Sequence, residues 1–304
     1  MDMRDLVIIG SGPAGLAAAI YAARAKIDAV MLEKAGFGGG AVLNTYEVDN
    51  YPGLPGESGF SLAEKFENHA KKVGATIETA EVQRLEKTDN GYRVLCEEGS
   101  YEAKSIILAT GAKHAKLGVP GEEELAGMGV SYCATCDGAF FADREVAVVG
   151  GGDVAVEDAI FLARTCKKVY LIHRRDSLRA AQVLQDALFA CENVEVIWDS
   201  VVEEICGNDC VEELRIRNVQ TGAEHRLAVQ GVFVAVGILP NSEAFKDFVK
   251  CDEKGYVIAG EDGRTSLPLV YAVGDVRTKE LRQIITAVAD GANAITSLQK
   301  DILI

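Results

Sequence analysis

One pattern occurs twice in this chain of 304 residues, and it leaves few folds open. Leu6-Val7-Ile8-Ile9 is a short apolar run that ends in Gly10-Ser11-Gly12-Pro13-Ala14-Gly15. An Ala-rich helical stretch follows from Leu16 to Ala25, then a second apolar run, Ala29-Val30-Met31-Leu32, closed by Glu33. The second copy has Val146–Val149, then Gly150-Gly151-Gly152-Asp153-Val154-Ala155, a helix over 154–164, and Lys168–Ile172. Strand, glycine turn, helix and strand in that order build a parallel sheet covered by helices. The glycine spacing has a physical reason. The first glycine permits the tight turn, the second lets backbone approach a pyrophosphate, and the third, where Ala155 is tolerated, lets helix and strand pack closely. The free N–H groups and partial positive charge of each helix start then face that pyrophosphate.

The two copies differ in charge at the end of their second strand. Twenty-three residues after Gly10 stands Glu33, which can accept hydrogen bonds from both hydroxyls of a ribose. The same offset from Gly150 lands on His173, followed by Arg174, Arg175 and, four residues on, Arg179. An acid repels a 2′-phosphate, whereas an Arg pair forms charge-assisted hydrogen bonds to one. The first copy is therefore expected to hold FAD or NAD, and the second NADP. The plainer readings are a glycine turn in a nucleotide-free fold and a solvated basic face. Against them stand the repetition and the acidic background: 31 Lys and Arg against 46 Asp and Glu give a net charge of −15. A chain that acidic repels phosphate backbones, so no nucleic-acid partner is expected.

The resemblance between the copies extends downstream. Thr76–Glu81, Gln83–Glu86 and Tyr92–Cys96 read as short strands with a turn at Asn90-Gly91, and Ile106–Gly111 closes the unit. In the second copy Val194–Trp198, Val201–Ile205 and Leu214–Asn218 are followed by Val232–Gly237. The expected fold is α/β, with two Rossmann-like dinucleotide-binding domains, each a three-layer ββα arrangement. Leu269–Val273, Gly274-Asp275 and a helix from about Leu281 to Lys300 are left over and complete the first domain. The second domain is then inserted into the first: 1–116 with 242–304, and 117–241, with crossings near Leu117–Gly121 and Leu239–Asn241. No apolar run approaches the ~18 residues of a membrane span, and the early strand at Leu6 argues against a signal peptide. Eight cysteines in such a chain point to the reducing cytosol and to redox or metal chemistry.

Cys133-Ala134-Thr135-Cys136-Asp137-Gly138 is a C-x-x-C, whose spacing suits a small disulfide ring. Three readings compete: a redox dithiol, a zinc site completed by Cys206 and Cys210, and inert core thiols. Two nucleotide units supply an electron source and favour the first. A nicotinamide delivers a hydride while a disulfide reacts through thiolates, so a flavin is needed between them, and the first site is assigned to FAD. Asp137 is either the proton donor to a thiolate or a turn cap; spacing does not choose. Cys96, Cys166, Cys191 and Cys251 read as isolated core or surface residues. The run Glu122-Glu123-Glu124 reads as solvated, and Asp153 as the cap of its helix.

In order along the chain, Gly10–Gly15, Tyr46-Glu47-Val48-Asp49-Asn50-Tyr51-Pro52-Gly53, Ala109-Thr110-Gly111, Cys133–Gly138, Gly150–Glu157, His173–Arg179 and Gly274-Asp275 with Arg282-Gln283 match one family. The chain resembles the low-molecular-weight thioredoxin reductases over essentially its whole length. That resemblance implies a homodimeric cytoplasmic flavoenzyme using FAD and NADPH, with thioredoxin as protein substrate and a rotation of the inserted domain between half-reactions. It implies Cys133, Cys136 and Asp137 as catalytic, with Cys136 nearest the flavin, Cys133 exchanging with thioredoxin and Asp137 donating the proton. It implies FAD contacts from Gly10, Ser11, Gly12, Pro13, Ala14, Gly15, Glu33, Lys34, Gly39, Gly40, Ala41, Asn50, Val82, Ala109, Thr110, Gly111, Gly274, Asp275, Arg282, Gln283 and Ile284. For NADPH it implies Gly150, Gly152, Asp153, Val154, Glu157, His173, Arg174, Arg175 and Arg179. No metal is expected. Ala41 departs from the Gln usual in the family, and Asp153 from a neutral residue. A related dithiol flavoprotein drawing on ferredoxin, or serving another small redox protein, is the alternative.

Overall fold

A computed structural model describes residues 3–45, Val48 and 50–302. Tyr46, Glu47 and Asp49 of the loop quoted above lie outside the described residues. The chain divides into two compact units, 1–113 with 239–304 and 114–238.

In the first unit, β1 (Arg4–Ile9), α1 (Pro13–Arg24), β2 (Ala29–Glu33), α2 (Gly59–Lys72) and β3 (Thr76–Thr79) build a parallel sheet. Then β4 (Val82–Thr88), β5 (Gly91–Cys96) and β6 (Ser100–Leu108) form an antiparallel meander. The long β6 belongs to both layers. Its first half pairs with β5, and its second half runs parallel to β1 and to the returning strand Val270–Ala272. The leftover segment therefore does complete this sheet. Two apolar layers follow from strand alternation. Val7, Ile9, Val30 and Leu108 face the meander side, while Leu6, Ile8, Met31 and Ile107 face the helices.

The closing helix Ile284–Ile302 lies across α1. A Cβ at Gly291 would sit 2.2 Å from the Ala14 carbonyl oxygen, so the Ala-rich α1 and this glycine are what let the backbones meet. The helix starts three residues later than expected.

The crossing segments β7 (Ala112–His114) and, on return, Ile238–Pro240 pair as a two-stranded ribbon. In the second unit a five-stranded parallel sheet holds β8 (Val130–Ser131), β9 (Glu145–Gly150), β10 (Lys168–Ile172), β11 (Val194–Ile197) and Gly231–Ala235. Helices α3 (Ala134–Asp137), α4 (Asp153–Ala163) and α5 (Gln182–Phe189) belong to this unit. A separate three-stranded antiparallel meander, Ser200–Cys206, Glu213–Asn218 and Glu224–Ala228, covers the other face. Val146, Val148 and Phe233 pack with α4 on one side; Ala147, Val149, Val232 and Val234 pack with the meander on the other.

Two expectations need correction. The first crossing falls at 113/114, a few residues before Leu117–Gly121, which is packed within the second unit. Ile205 N–H donates to the Pro120 carbonyl at 3.0 Å, and Gly121 lies so close to Ile205 that a Cβ would be 1.9 Å from its oxygen. Glu122 is not solvated. Its side chain is buried and accepts from Leu117 N–H (2.9 Å), Gly118 N–H (2.7 Å) and the Tyr132 hydroxyl (2.9 Å). Glu123 does stay exposed, paired with Lys116.

Candidate functional site

The first glycine turn has the geometry its spacing demands. Gly10 sits at φ +101°, and a Cβ there would be 2.6 Å from the Ala109 oxygen; one at Gly15 would be 2.0 Å from the Gly10 oxygen. At Gly12 a Cβ would meet nothing within 4 Å, so the start of α1, with Pro13 in its first turn and Ala14 buried behind it, opens onto free space. That open cradle fits a pyrophosphate. Glu33 stands at the end of β2. Ser11 donates to its Oε2 through N–H (2.9 Å) and hydroxyl (2.6 Å), and Ala35 N–H donates to Oε1 (3.0 Å). A carboxylate has about four lone-pair sites, so one, on Oε1, remains for a ribose hydroxyl. Lys34, next in the chain, and Ala41, in the turn Gly40–Asn44, are exposed.

The turn Gly38-Gly39-Gly40 is carried by a buried acid that the sequence did not flag: Glu67 of α2 accepts from Gly38 N–H at 2.9 Å, and Gly39 N–H donates to the Ser11 carbonyl. Thr110 and Asn241 exchange hydrogen bonds beside Gly111: the Thr110 hydroxyl donates to the Asn241 carbonyl, and Asn241 Nδ2 to the Thr110 carbonyl. Val82 is half-buried against the meander core. Asn50 Nδ2 donates to Gln283 Oε1 at 3.0 Å, joining two residues 233 apart that were assigned to the same ligand. Ile284 packs on Val42 and Leu62, beneath the turn that holds Gly40 and Ala41.

Gly274-Asp275 is anchored from the closing helix. Buried Asp290 accepts from Gly274 N–H (2.8 Å), from Arg277 through Nε (2.8 Å) and Nη2 (2.7 Å), and from Lys279 (2.9 Å). Asp275 Oδ1 and Arg282 Nε are buried with no partner among the described residues, and burial pushes the Asp275 carboxyl up from its usual range. The Arg282 guanidinium stacks on Tyr256 at 4.2 Å. Orphaned polar atoms in a built turn fit a polar ligand such as the flavin chain. Asp290, Arg277, Lys279 and Tyr256 were missed. Asp290 had a signal: an acid on the apolar stripe Ala287, Gly291, Ala294, Leu298.

In the second unit a cleft of about 320 Å³ is lined by Gly150, Gly151, His173, Arg174, Arg179, Ser200 and Val202, among others. At Gly152 a Cβ would meet nothing within 4 Å, whereas one at Gly151 would strike the His173 ring at 2.2 Å. His173 is buried, its Nε2 lacks a partner among the described residues, and burial holds its pKa below the ordinary imidazole value. Arg174, Arg175 and Arg179 are exposed, and among the described residues none takes an ion pair. Val154 and Glu157 are exposed on α4. Asp153 does not cap its helix. Gly152 is the N-cap, and Asp153 Oδ1 accepts from Ala181 N–H at 2.8 Å, tying the Arg179 loop to α4. Ser200 and Val202 carried no sequence signal, since their strand reads only as meander.

Cys133 and Cys136 form a disulfide, which leaves no thiolate pair for zinc. Cys133 is the N-cap of α3, and its Sγ lies 3.4 Å from the Thr135 hydroxyl. Asp137 is half-buried. Its Oδ2 accepts from the Ser131 hydroxyl at 2.6 Å, and its Oδ1 is buried without a partner among the described residues. Burial raises the Asp137 carboxyl above its usual range and the Ser131 hydrogen bond opposes it. Of the two readings left open for Asp137, the turn cap is not seen: its side chain makes no cap hydrogen bond to the turn that follows. The site has a disulfide, an acid held toward its neutral form and, on the same unit, an open helix start with three unpaired guanidinium groups.

Residues 4–291 match the family described as pyridine nucleotide-disulphide oxidoreductase. The thioredoxin reductase of Listeria innocua is 47% identical over 297 residues, 97% of this chain and 93% of that protein. The crystal structure of a thioredoxin reductase from Streptococcus pyogenes superimposes with a TM-score of 0.92 at 48% identity, covering 99% of this chain and 98% of the other. The Lactococcus lactis thioredoxin reductase in its FR conformation gives 0.70 at 43% identity, with 99% of each chain covered. Among the described residues no helix is long and apolar enough to cross a membrane.

Proposed function

Since the chain belongs to the pyridine nucleotide-disulphide oxidoreductases and, within them, to the bacterial-type thioredoxin reductases, we propose that it carries two electrons from NADPH through FAD to the Cys133–Cys136 disulfide and on to thioredoxin. The observation that carries this reading is the disulfide at the start of α3, one strand away from a nucleotide cradle with unpaired arginines. FAD is assigned to the first unit, where Gly12, Glu33, Asn50, Asp275, Arg282, Gln283 and the remaining contacts named above would hold it. NADPH is assigned to the second, with Gly150, Gly152, Asp153, Val154, Glu157 and His173 around the dinucleotide and Arg174, Arg175 and Arg179 on its 2′-phosphate. A bound flavin supplies the exchange between hydride and paired-electron thiol chemistry.

The chain's own residues do the rest. Cys133 Sγ faces the Thr135 hydroxyl, a donor that stabilises a thiolate, and it is the sulfur we assign to attack on thioredoxin. Cys136 is the sulfur we assign to exchange with the flavin. Asp137, kept toward its neutral form by burial, supplies the proton that a newly formed thiolate needs. One rigid arrangement cannot present the pair to both a flavin and a protein. A rotation of the inserted unit resolves this, and the unequal TM-scores of two relatives of similar identity support it. A homodimer in the cytoplasm is part of the same proposal.

Anaerobic titration with NADPH tests the reading. A yellow protein whose flavin band bleaches with NADPH but not NADH, taking two two-electron equivalents, is expected. A flavin left oxidised by NADPH overturns the donor and makes ferredoxin the next candidate; turnover with thioredoxin tests the acceptor.

A further inference from the structure

Two facts about the acid beside the disulfide do not follow from its being an acid. Its two carboxyl oxygens are in different surroundings, and one buried hydroxyl makes them so. Ser131, 5% exposed, is the second residue of β8, held in the sheet by Ser131↔Phe233 pairing. Its Oγ lies 2.6 Å from Asp137 Oδ2 and accepts from Cys133 N–H at 3.1 Å. Asp137 Oδ1 is buried with no partner among the described residues. The next residue, Tyr132, points to the opposite side, where its hydroxyl donates to Glu122. The short strand is therefore pinned on both faces, and the Ser131 hydroxyl, which also lies 3.4 Å from the Cys133 carbonyl oxygen, makes its much shorter contact to Asp137 Oδ2.

We propose that Ser131 is the positioning residue for the Asp137 acid: by donating to Oδ2 it makes Oδ1 the oxygen that carries the transferable proton. The proposal rests on Asp137 being the proton donor and goes beyond it by naming the oxygen and the residue that selects it. A neutral carboxyl has one oxygen that accepts and one that bears hydrogen. With Oδ2 engaged as acceptor, the hydrogen belongs on Oδ1, where no group among the described residues competes for it. Two electrons from NADPH, arriving by way of the flavin, break the Cys133–Cys136 S–S bond and leave two sulfur anions. The Oδ1–H bond then breaks as an S–H bond forms on one of them; the other sulfur remains a thiolate or takes its proton from water. Asp137 is left as a carboxylate whose Oδ2 already holds a donor, so the product of the transfer is stabilised where it forms.

Burial and the Ser131 hydroxyl are the two influences on the Asp137 carboxyl. The helical turn Gly138–Phe141 brings apolar Phe141, and α4 brings Phe161 and Leu162 against Gly138. Of the charged groups on and beside this stretch of α4, Asp158 stands one turn earlier and the Arg164 guanidinium lies over the Phe161 ring at 5.9 Å; the Asp137 shift has burial and the Ser131 hydrogen bond as its causes.

The test is infrared difference spectroscopy of the FAD-loaded protein on anaerobic reduction, at a series of pH values. The wild type is expected to lose a protonated-carboxyl C=O band that Asp137→Asn lacks. In Ser131→Ala the band is expected at higher frequency, because the carbonyl oxygen has lost its donor. Its titration midpoint should rise by about one pH unit, a tenfold change in the protonation equilibrium, because the carboxylate has lost a charge-assisted hydrogen bond. Ser131→Thr should restore both. Ser131→Cys, which keeps the volume and weakens the donor, should fall between and serves if Ser131→Ala does not retain FAD. An unmoved band and midpoint in Ser131→Ala, with the band still absent in Asp137→Asn, overturns the Ser131 assignment alone. A band that persists in Asp137→Asn overturns the reading of Asp137 itself.

Discussion

Replacing Arg174 and Arg179 together by alanine should make the protein nearly indifferent to the 2′-phosphate. Both guanidinium groups line the cleft of the second unit, both are exposed, and neither is held by a carboxylate among the described residues. No ion pair has to be broken before a phosphate binds, so the interaction is gained without an offsetting loss. A hydrogen bond to a charged group contributes about 1.5–3 kcal/mol, and the lower end applies at a solvated site. Two such contacts amount to about 3 kcal/mol, or about 100-fold in affinity. The assay is steady-state reduction with NADPH and with NADH at fixed ionic strength, since exposed charge contacts are screened by salt. The Michaelis constant for NADPH should rise by about 100-fold and that for NADH by less than about threefold, with kcat little changed. Arg175, outside the cleft lining, should move the same ratio less. Equal effects on the two nucleotides would refute the assignment of this cluster to the 2′-phosphate.

Other expectations follow from particular contacts. Gly12→Val adds a side chain in open space at φ −68°, so the protein should fold and keep its thermal stability without ligand yet retain little FAD; Gly10→Val, at φ +101° and 2.6 Å from the Ala109 oxygen, should fail to fold. Cys136→Ser should still bleach its flavin with NADPH, but take one two-electron equivalent and reduce no thioredoxin. Asp158 is raised to about 7 by burial, so stability is lost as pH rises from about 4 through 7. Asp158→Asn should therefore melt higher than wild type at pH 8, by at most about 4 kcal/mol, and equally at pH 4, as calorimetry would show. Glu122→Ala strands the Leu117 and Gly118 amides and the Tyr132 hydroxyl, and a loss of about 2–4 kcal/mol is expected in denaturant titration.

The glycine turns were legible because their cause is local. Gly10, Gly12 and Gly15, or Gly150 and Ala155, are needed wherever a strand turns sharply into a helix against a ligand, and that need shows in spacing alone. The same holds for the contrast between Glu33 and the Arg174–Arg179 cluster, which is a matter of charge at a fixed offset. The residues that hold the site in place were not legible. Glu67 and Glu122 look like ordinary surface acids in sequence; only the packed chain shows each buried under the backbone amides it serves. Asp153 was misread for the same reason, since its partner Ala181 lies 28 residues away.

The sequence by itself determined two glycine-turn units, the charge each offers a nucleotide, and a paired thiol between them, because short-range periodicity and offset encode these. Only the tertiary structure decided that Leu117–Gly121 is packed within the second unit and that Glu122 is buried beneath it. It also decided which oxygen of Asp137 is free. Those outcomes depend on hydrogen bonds and burial between segments distant along the chain, and burial is a property of the folded molecule that no local pattern carries.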